Sequence, residues 1–264
     1  MLEAEYATMF GAEERHWWYL GLHDQLKAAY ARCRALVTGP GRVLDAGCGT
    51  GKVLTLLGEA RPVGLDLSAT ALALARKRGP FALTRGSAVS LPFAAGSFDV
   101  AVSLDVLANV PPAEVPPALA ELYRVLAPGG ALILNLVALH ALFSEHDRAV
   151  GVVRRYRADE VRRMLVAAGF SIEILSYSNT ILFPIAALVR LWRKRERPGD
   201  AAPVSDLAPL PGPLNTLLAG IRRLENAMIV RYGLTLPFGL SVFALARKPA
   251  VAATANPAST RSGI

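Results

Sequence analysis

Three closely spaced glycines, Gly47, Gly49 and Gly51, and two carboxylates, Asp45 and Asp66, carry the strongest chemical signal in this chain. In Val43-Leu44-Asp45-Ala46-Gly47-Cys48-Gly49-Thr50-Gly51 an apolar run ends in a turn, and helical spacing resumes at Lys52. Glycine at these places lets the backbone turn tightly and come close to a ligand. Asp66 follows 19 residues after Gly47, at the end of the next apolar run. A carboxylate there can accept both ribose hydroxyl protons of an adenosine. The dinucleotide spacing GxGxxG would need glycine at position 52, where Lys52 stands. Asp45 lies within the turn, where it would repel a pyrophosphate but favour an ammonium or a sulfonium. The expected cofactor is therefore S-adenosyl-L-methionine, with S-adenosyl-L-homocysteine as product. A nicotinamide dinucleotide is the rival.

A second group of reactive residues follows at Ser144-Glu145-His146-Asp147 and Arg154-Arg155-Tyr156. His146 has a side chain suited to taking a proton from a hydroxyl or amine. Tyr156 could position an acceptor or contact the sulfonium, and Glu145 or Asp147 could orient the histidine or pair with the arginines. His146 and Tyr156 are the expected catalytic residues; an ion-pair network is the structural alternative. Methyl transfer asks for alignment first, because a sulfonium is already a strong electrophile. Residue types alone leave O-, N- and C-methylation open.

These groups need a scaffold that brings strand ends together. Short apolar runs at 42–46, 62–66, 81–85, 98–104 and 131–136 alternate with helical spacing at 52–59, 68–77 and 113–126. Such alternation predicts a parallel sheet covered on both faces. A helix over 158–168 ends at Gly169, a strand is expected at 171–177, and another at 240–246. A helix over 13–37 precedes the first strand. An insertion fills 179–236, with an apolar helix near 180–195, a Pro/Gly/Asp-rich break and a helix over 214–231.

The motifs stand in the order and spacing of a known family. VLDAGCGTG resembles motif I of class I S-adenosylmethionine-dependent methyltransferases, and VGLDLS resembles the second motif. LPFAAGSFDV at 91–100, SLDVL at 103–107 and LAPGG at 126–130 resemble three further segments. The resemblance, over about residues 40–178, implies an α/β Rossmann-like fold. Its sheet would have seven mostly parallel strands with an antiparallel last strand, plus an N-terminal helix and a helical insertion before that strand. It implies cofactor contacts from Asp45, Gly47, Cys48, Gly49, Gly51, Asp66, Leu67 and Leu104. Relatives often carry an acidic residue after the third strand; here Arg85-Gly86-Ser87-Ala88 stands there, so Ser87, Ala88 or a backbone group must substitute. Relatives often have Glu-His where this chain has Ala108-Asn109. His16-Trp17-Trp18 and SEHD…RRY resemble segments of a bacterial small-molecule subset. The former suggests an N-terminal lid over residues 1–39 in which Trp18 reaches the cofactor; simple packing on the sheet is the alternative.

Composition sets the outer limits. The chain has 264 residues, 53% hydrophobic and 19% charged, enough for one packed domain over 1–264 with a core at 40–178, a last strand within 237–247 and an unstructured tail at 248–264. Two cysteines and scattered histidines argue against a disulfide framework or a metal site, and a cytoplasmic protein is expected. The net charge is +8, with clusters at Arg154–Arg163 and Arg190–Arg197. A basic face can attract nucleic acid or anionic lipid. No base-flipping motif follows the fourth strand, so a small, hydrophobic acceptor is expected and nucleic acid is not. The apolar run at 181–189 is too short to span a bilayer. It could roof an acceptor pocket, form a homodimer contact, or, with the basic run to 197, lie on a membrane surface.

Overall fold

The computed structural model describes residues 3–37, 39, 41–143, 145–184 and 210–250. Seven strands form a single sheet: β1 (Val43–Ala46), β2 (Val63–Asp66), β3 (Ala82–Arg85), β4 (Phe98–Leu104), β5 (Leu126–Val137), β6 (Ser171–Ser178) and β7 (Ser241–Arg247). Their order across the sheet is β3-β2-β1-β4-β5-β7-β6. β1 to β5 pair in parallel, whereas β7 runs antiparallel between β5 and β6. The strand order reverses between β1 and β4, and in open α/β sheets a ligand crevice forms beyond the strand carboxyl ends at that place.

The sheet divides its core by the two-residue period of its strands. Leu44, Ala101, Leu132, Leu134, Val242 and Ala244 face one side with α5 (Val115–Val125) and α7 (Ala158–Ala167). Val43, Val100, Val102, Ile133, Phe243 and Leu245 face the other, against Leu26, Ala29 and Cys33 of α2 (Trp17–Arg34). In α5, Val115, Ala118, Leu119 and Leu122 recur at helical spacing and all are buried. Between the strands lie two short connecting helices, α3 (Lys52–Leu56) and α4 (Ala69–Arg78). Ser68 caps α4 by accepting from Ala71 N at 3.2 Å. α7 stops at Gly169, whose φ of 92° suits a residue without Cβ.

Several boundaries differ from expectation. The N-terminal segment is two helices: α1 (Glu3–Ala12), followed by a turn, then α2. The His16 side chain accepts from Trp18 N, so α2 starts at Trp17 and not at position 13 as its spacing suggests. β5 begins at Leu126, inside the LAPGG turn, because that segment pairs with Phe98. A five-residue helix, α6 (Glu145–Ala149), precedes α7, and α8 (Gly212–Asn226) gives way to a π-turn at Ala227–Arg231. The expected apolar helix at 180–195 and its basic run fall mostly outside the described residues, as do most of the Pro/Gly/Asp-rich break and the tail from 251. The membrane, roof and dimer expectations for 181–197 lie largely there. Among the described residues no helix is long and apolar enough to cross a membrane.

Long-range polar contacts fix the N-terminal helices and the insertion around the sheet. Asn215 of α8 accepts from Trp17 N at 2.9 Å and donates to Arg15 O at 2.8 Å, closing the start of α2. Buried Glu225 accepts the backbone N–H of Asn179, Thr180 and Ile181 and pairs with Arg222. The chain leaving β6 is thereby tied to α8.

Candidate active site

A cleft of about 850 Å³ opens beyond the carboxyl ends of β1, β2 and β4. Its floor is the turn after β1. Gly47, Gly49 and Gly51 have φ of 93°, 51° and 82°, a region costly for residues with a Cβ. A Cβ on Gly47 would lie 2.2 Å from Val106 Cγ2, so the turn packs directly against the segment leaving β4. Gly47 N and Cys48 N donate to Leu65 O at 2.7 and 2.9 Å, which joins the turn to β2.

Asp66 accepts from Gly49 N at 2.8 Å through Oδ2 and from Ser68 N at 2.9 Å through Oδ1. Each carboxylate oxygen keeps a further lone pair for a ligand hydroxyl. Asp45 is buried, and its Oδ2 has no partner among the described residues. Burial, then the charges of Asp66 and Glu13, push its carboxyl well above the usual carboxylate range. A ligand ammonium would relieve this unpaired oxygen, whereas a pyrophosphate would worsen it. The missing Cβ atoms and the orphaned oxygen together fit a cationic adenosyl ligand.

Of the expected cofactor contacts, Asp45, Gly47, Cys48, Gly49, Asp66, Leu67, Ser87, Ala88, Leu104 and Trp18 line the cleft. Gly51 does not. It precedes α3, and a Cβ there would meet Ala75 Cβ at 2.8 Å, so glycine serves helix packing. Tyr156 requires a correction. It is fully buried in the core with its hydroxyl donating to Leu107 O at 3.2 Å, and it does not line the cleft. Its neighbour Arg155 does: strand-like alternation turns Tyr156 to the core and Arg155 to the cavity. His146 lies on α6, but its side chain is outside the described residues, as is Ser144.

Arg155 and Asp147 form a bidentate pair, with contacts of 2.8, 2.9 and 3.2 Å, and Arg155 also donates to Ala138 O at 2.7 Å. Both side chains are buried. Three other arginines of that cluster have carboxylate partners too: Arg154 pairs with Glu160, and Arg157 and Arg163 with Asp159. The cleft is also lined by Trp17, Trp18, Tyr19, Leu22 and His23 from α2, with Leu182, Leu210, Leu214 and Leu218 from the insertion. Tyr19 stacks on His23 at 6.0 Å, and burial lowers the His23 imidazole to about 4, so it is neutral at pH 7.

Sequence reasoning passed over three features. Arg78 joins the N-terminal segment to the glycine turn: it donates to Glu13 at 2.7 Å, to Phe10 O at 3.0 Å and to Thr50 O at 2.9 Å, and also pairs with Glu14. Glu13 in turn accepts the Thr50 hydroxyl. Asp105, at the end of β4, lines the cleft and accepts from Asn135 Nδ2 at 2.9 Å. Burial pushes its carboxyl up to about 6, opposed by the Asn135 hydrogen bond and by Arg155. The one local signal for Asp105 was a carboxylate at a strand's carboxyl end.

Residues 44–134 match the family described as "Methyltransferase domain". The chain is 41% identical over 189 residues to the ubiquinone/menaquinone biosynthesis C-methyltransferase UbiE of Dinoroseobacter shibae, covering 58% of this chain and 74% of that protein. It is 38% identical over 109 residues to the demethylmenaquinone methyltransferase of Thermus thermophilus, covering 38% of this chain and 49% of that protein. The chain spans about half the length of several curated relatives it matches. A chain in the complex of the Haloferax volcanii Trm112 methyltransferase activator superposes with a TM-score of 0.59 at 22% identity, over 94% of this chain and 96% of that one. That last likeness is one of fold.

Proposed function

The chain belongs to the class I S-adenosylmethionine-dependent methyltransferase family, and on that premise we propose that it transfers a methyl group to a small hydrophobic acceptor of the quinol type. The observation that carries the cofactor half is the buried, unpartnered Asp45 oxygen beside three left-handed glycines. Asp45 would hold the ammonium of the methionine moiety. Asp66 would take the ribose hydroxyls, with Leu67, Ser87 and Ala88 around the adenine. When bound, S-adenosylmethionine supplies an electrophilic methyl group; this chain's residues orient both partners and exclude water.

The acceptor half rests on the walls. Aromatic residues of α2 and leucines of the insertion enclose one side of the cleft, an arrangement suited to a lipophilic body with few polar groups. The relatives are named for demethylmenaquinone and for ubiquinone/menaquinone biosynthesis, acceptors of this chemistry. The test is transfer of labelled methyl from S-adenosylmethionine to a reduced, prenylated naphthoquinone lacking the ring methyl. Label should enter the quinol, and Asp66→Ala should cut the rate through a KM for S-adenosylmethionine raised at least about tenfold, the loss of one charged hydrogen-bond acceptor. Absence of label from the quinol, with label in another acceptor class, would overturn the substrate assignment.

A further inference from the structure

We propose that Asp105 is a catalytic residue whose carboxylate takes the hydroxyl proton of the acceptor, which makes that acceptor an aromatic alcohol or quinol. This rests on the methyl-transfer reading and adds to it the base that reading lacks.

The position is the first argument. Asp105 follows the last residue of β4, and the next residue, Val106, packs on Gly47 of the cofactor turn. Its carboxylate therefore lies at the border between the turn that would hold the methyl donor and the aromatic wall of α2. Its backbone has a φ of 59°, a conformation that aspartate tolerates better than most residues and that clusters at functional sites. β5 holds it from two sides: Asp105 N donates to Asn135 O at 2.8 Å, and Asn135 Nδ2 donates to Asp105 Oδ1. Only one carboxylate oxygen is used in this way, which leaves the other for a ligand proton.

The surroundings are the second argument. Among the described residues, the ionisable groups around Asp105 are Arg155, which favours the carboxylate, Asp147, which opposes it, and Tyr19, whose phenol is itself raised by burial. With burial these leave a carboxylate that titrates near the operating pH, where a general base works best. Among the described residues the competing groups serve less well. Tyr156 faces the core, and the neutral His23 is a weaker base than Asp105. In the step itself the acceptor O–H bond breaks and its proton passes to the free Asp105 oxygen. The electron pair stays on the acceptor, which becomes the anion that captures the methyl group as the donor's C–S bond breaks to a thioether. Where the methyl lands on a ring carbon, that carbon's proton moves to the oxygen to restore the ring, and the proton on Asp105 leaves to water.

The test uses 1-naphthol and its ether 1-methoxynaphthalene, titrated by fluorescence into the full chain with S-adenosylhomocysteine present, at pH 8 and pH 5. At pH 8 the alcohol should bind about tenfold tighter than the ether, because only it donates to a carboxylate. At pH 5 the preference should collapse, and in Asp105→Asn it should be small and equal at both pH values. Equal affinities at pH 8, no naphthalene binding at all, or a pH-dependent preference that survives in Asp105→Asn would each overturn the proposal. With the quinol as substrate, kcat/KM should rise through a limb near pH 6 and fall at least about 100-fold in Asp105→Asn, with the limb lost. A chain that moves no methyl to quinol would sink the function reading, and the naphthol comparison would still decide the role of Asp105.

Discussion

Two carboxylates in one cleft are held in opposite ways. Asp45 Oδ2 has no partner among the described residues, whereas Asp105 Oδ1 accepts from Asn135. Asp105 carries a stability cost with a definite sign. Its folded-state carboxyl is raised to about 6 from 3.8, so the native chain binds more protons than the unfolded one between those values. Stability from this group is then highest below about pH 4 and falls as pH rises through about 6. Asp105→Asn should therefore raise Tm at pH 8, by on the order of 2 kcal/mol in stability, and leave it unchanged at pH 4. Scanning calorimetry at the two values would show it; an equal shift at both would contradict the assignment. Arg155 makes the reverse case. Arg155→Met should cost about 3–5 kcal/mol, because buried Asp147 would lose its bidentate contact with the guanidinium, and the double change Arg155→Met, Asp147→Leu should recover most of that. Urea titrations of the two variants separate these outcomes. At this scale the glycine turn and Asp66 were legible in the sequence, because their chemistry is local. Tyr156 was expected at the acceptor and not in the core because an alternation that sends one side chain in and the next out needs the neighbouring strand to set its phase.

At the scale of elements, a single arginine couples three of them. Arg78, at the end of α4, binds α1, the Glu13-Glu14 turn and the glycine turn. Its guanidinium also lies 4.1 Å from the centre of the Phe10 ring. Arg78→Met should release α1, so its amides exchange with deuterium at least about tenfold faster while those of β4 and β5 are unchanged. Unchanged exchange in α1 would mean that its apolar contacts alone hold it. The strands and α5 were legible from apolar spacing, as were the caps at Ser68 and Gly169. The break between α1 and α2 was not, because it depends on His16 capping α2 and on Asn215, some 200 residues away, bonding to Trp17 and Arg15. The helix expected over 13–37 starts inside the break, so its spacing gives no sign of α1 or of the cap at His16.

For the whole molecule, the reversal of strand order between β1 and β4 makes the crevice, and residues of the N-terminal helices and of the insertion line it together. The parallel sheet was legible because alternating strands and helices admit few topologies, whereas the antiparallel β7 was expected from the family resemblance alone. Which segments meet over the cleft was not, since Leu22 and Leu214 come together only through α2 packing on α8. The central claim is that this crevice is built for an adenosyl cation and not for a dinucleotide. Calorimetric titration of the full chain with S-adenosylmethionine, S-adenosylhomocysteine and NADH tests it most directly, repeated on Asp66→Ala. The account predicts binding of both adenosyl ligands, weakened at least about tenfold by the substitution, and none of NADH. Binding of NADH, or no binding of either adenosyl ligand, would contradict it.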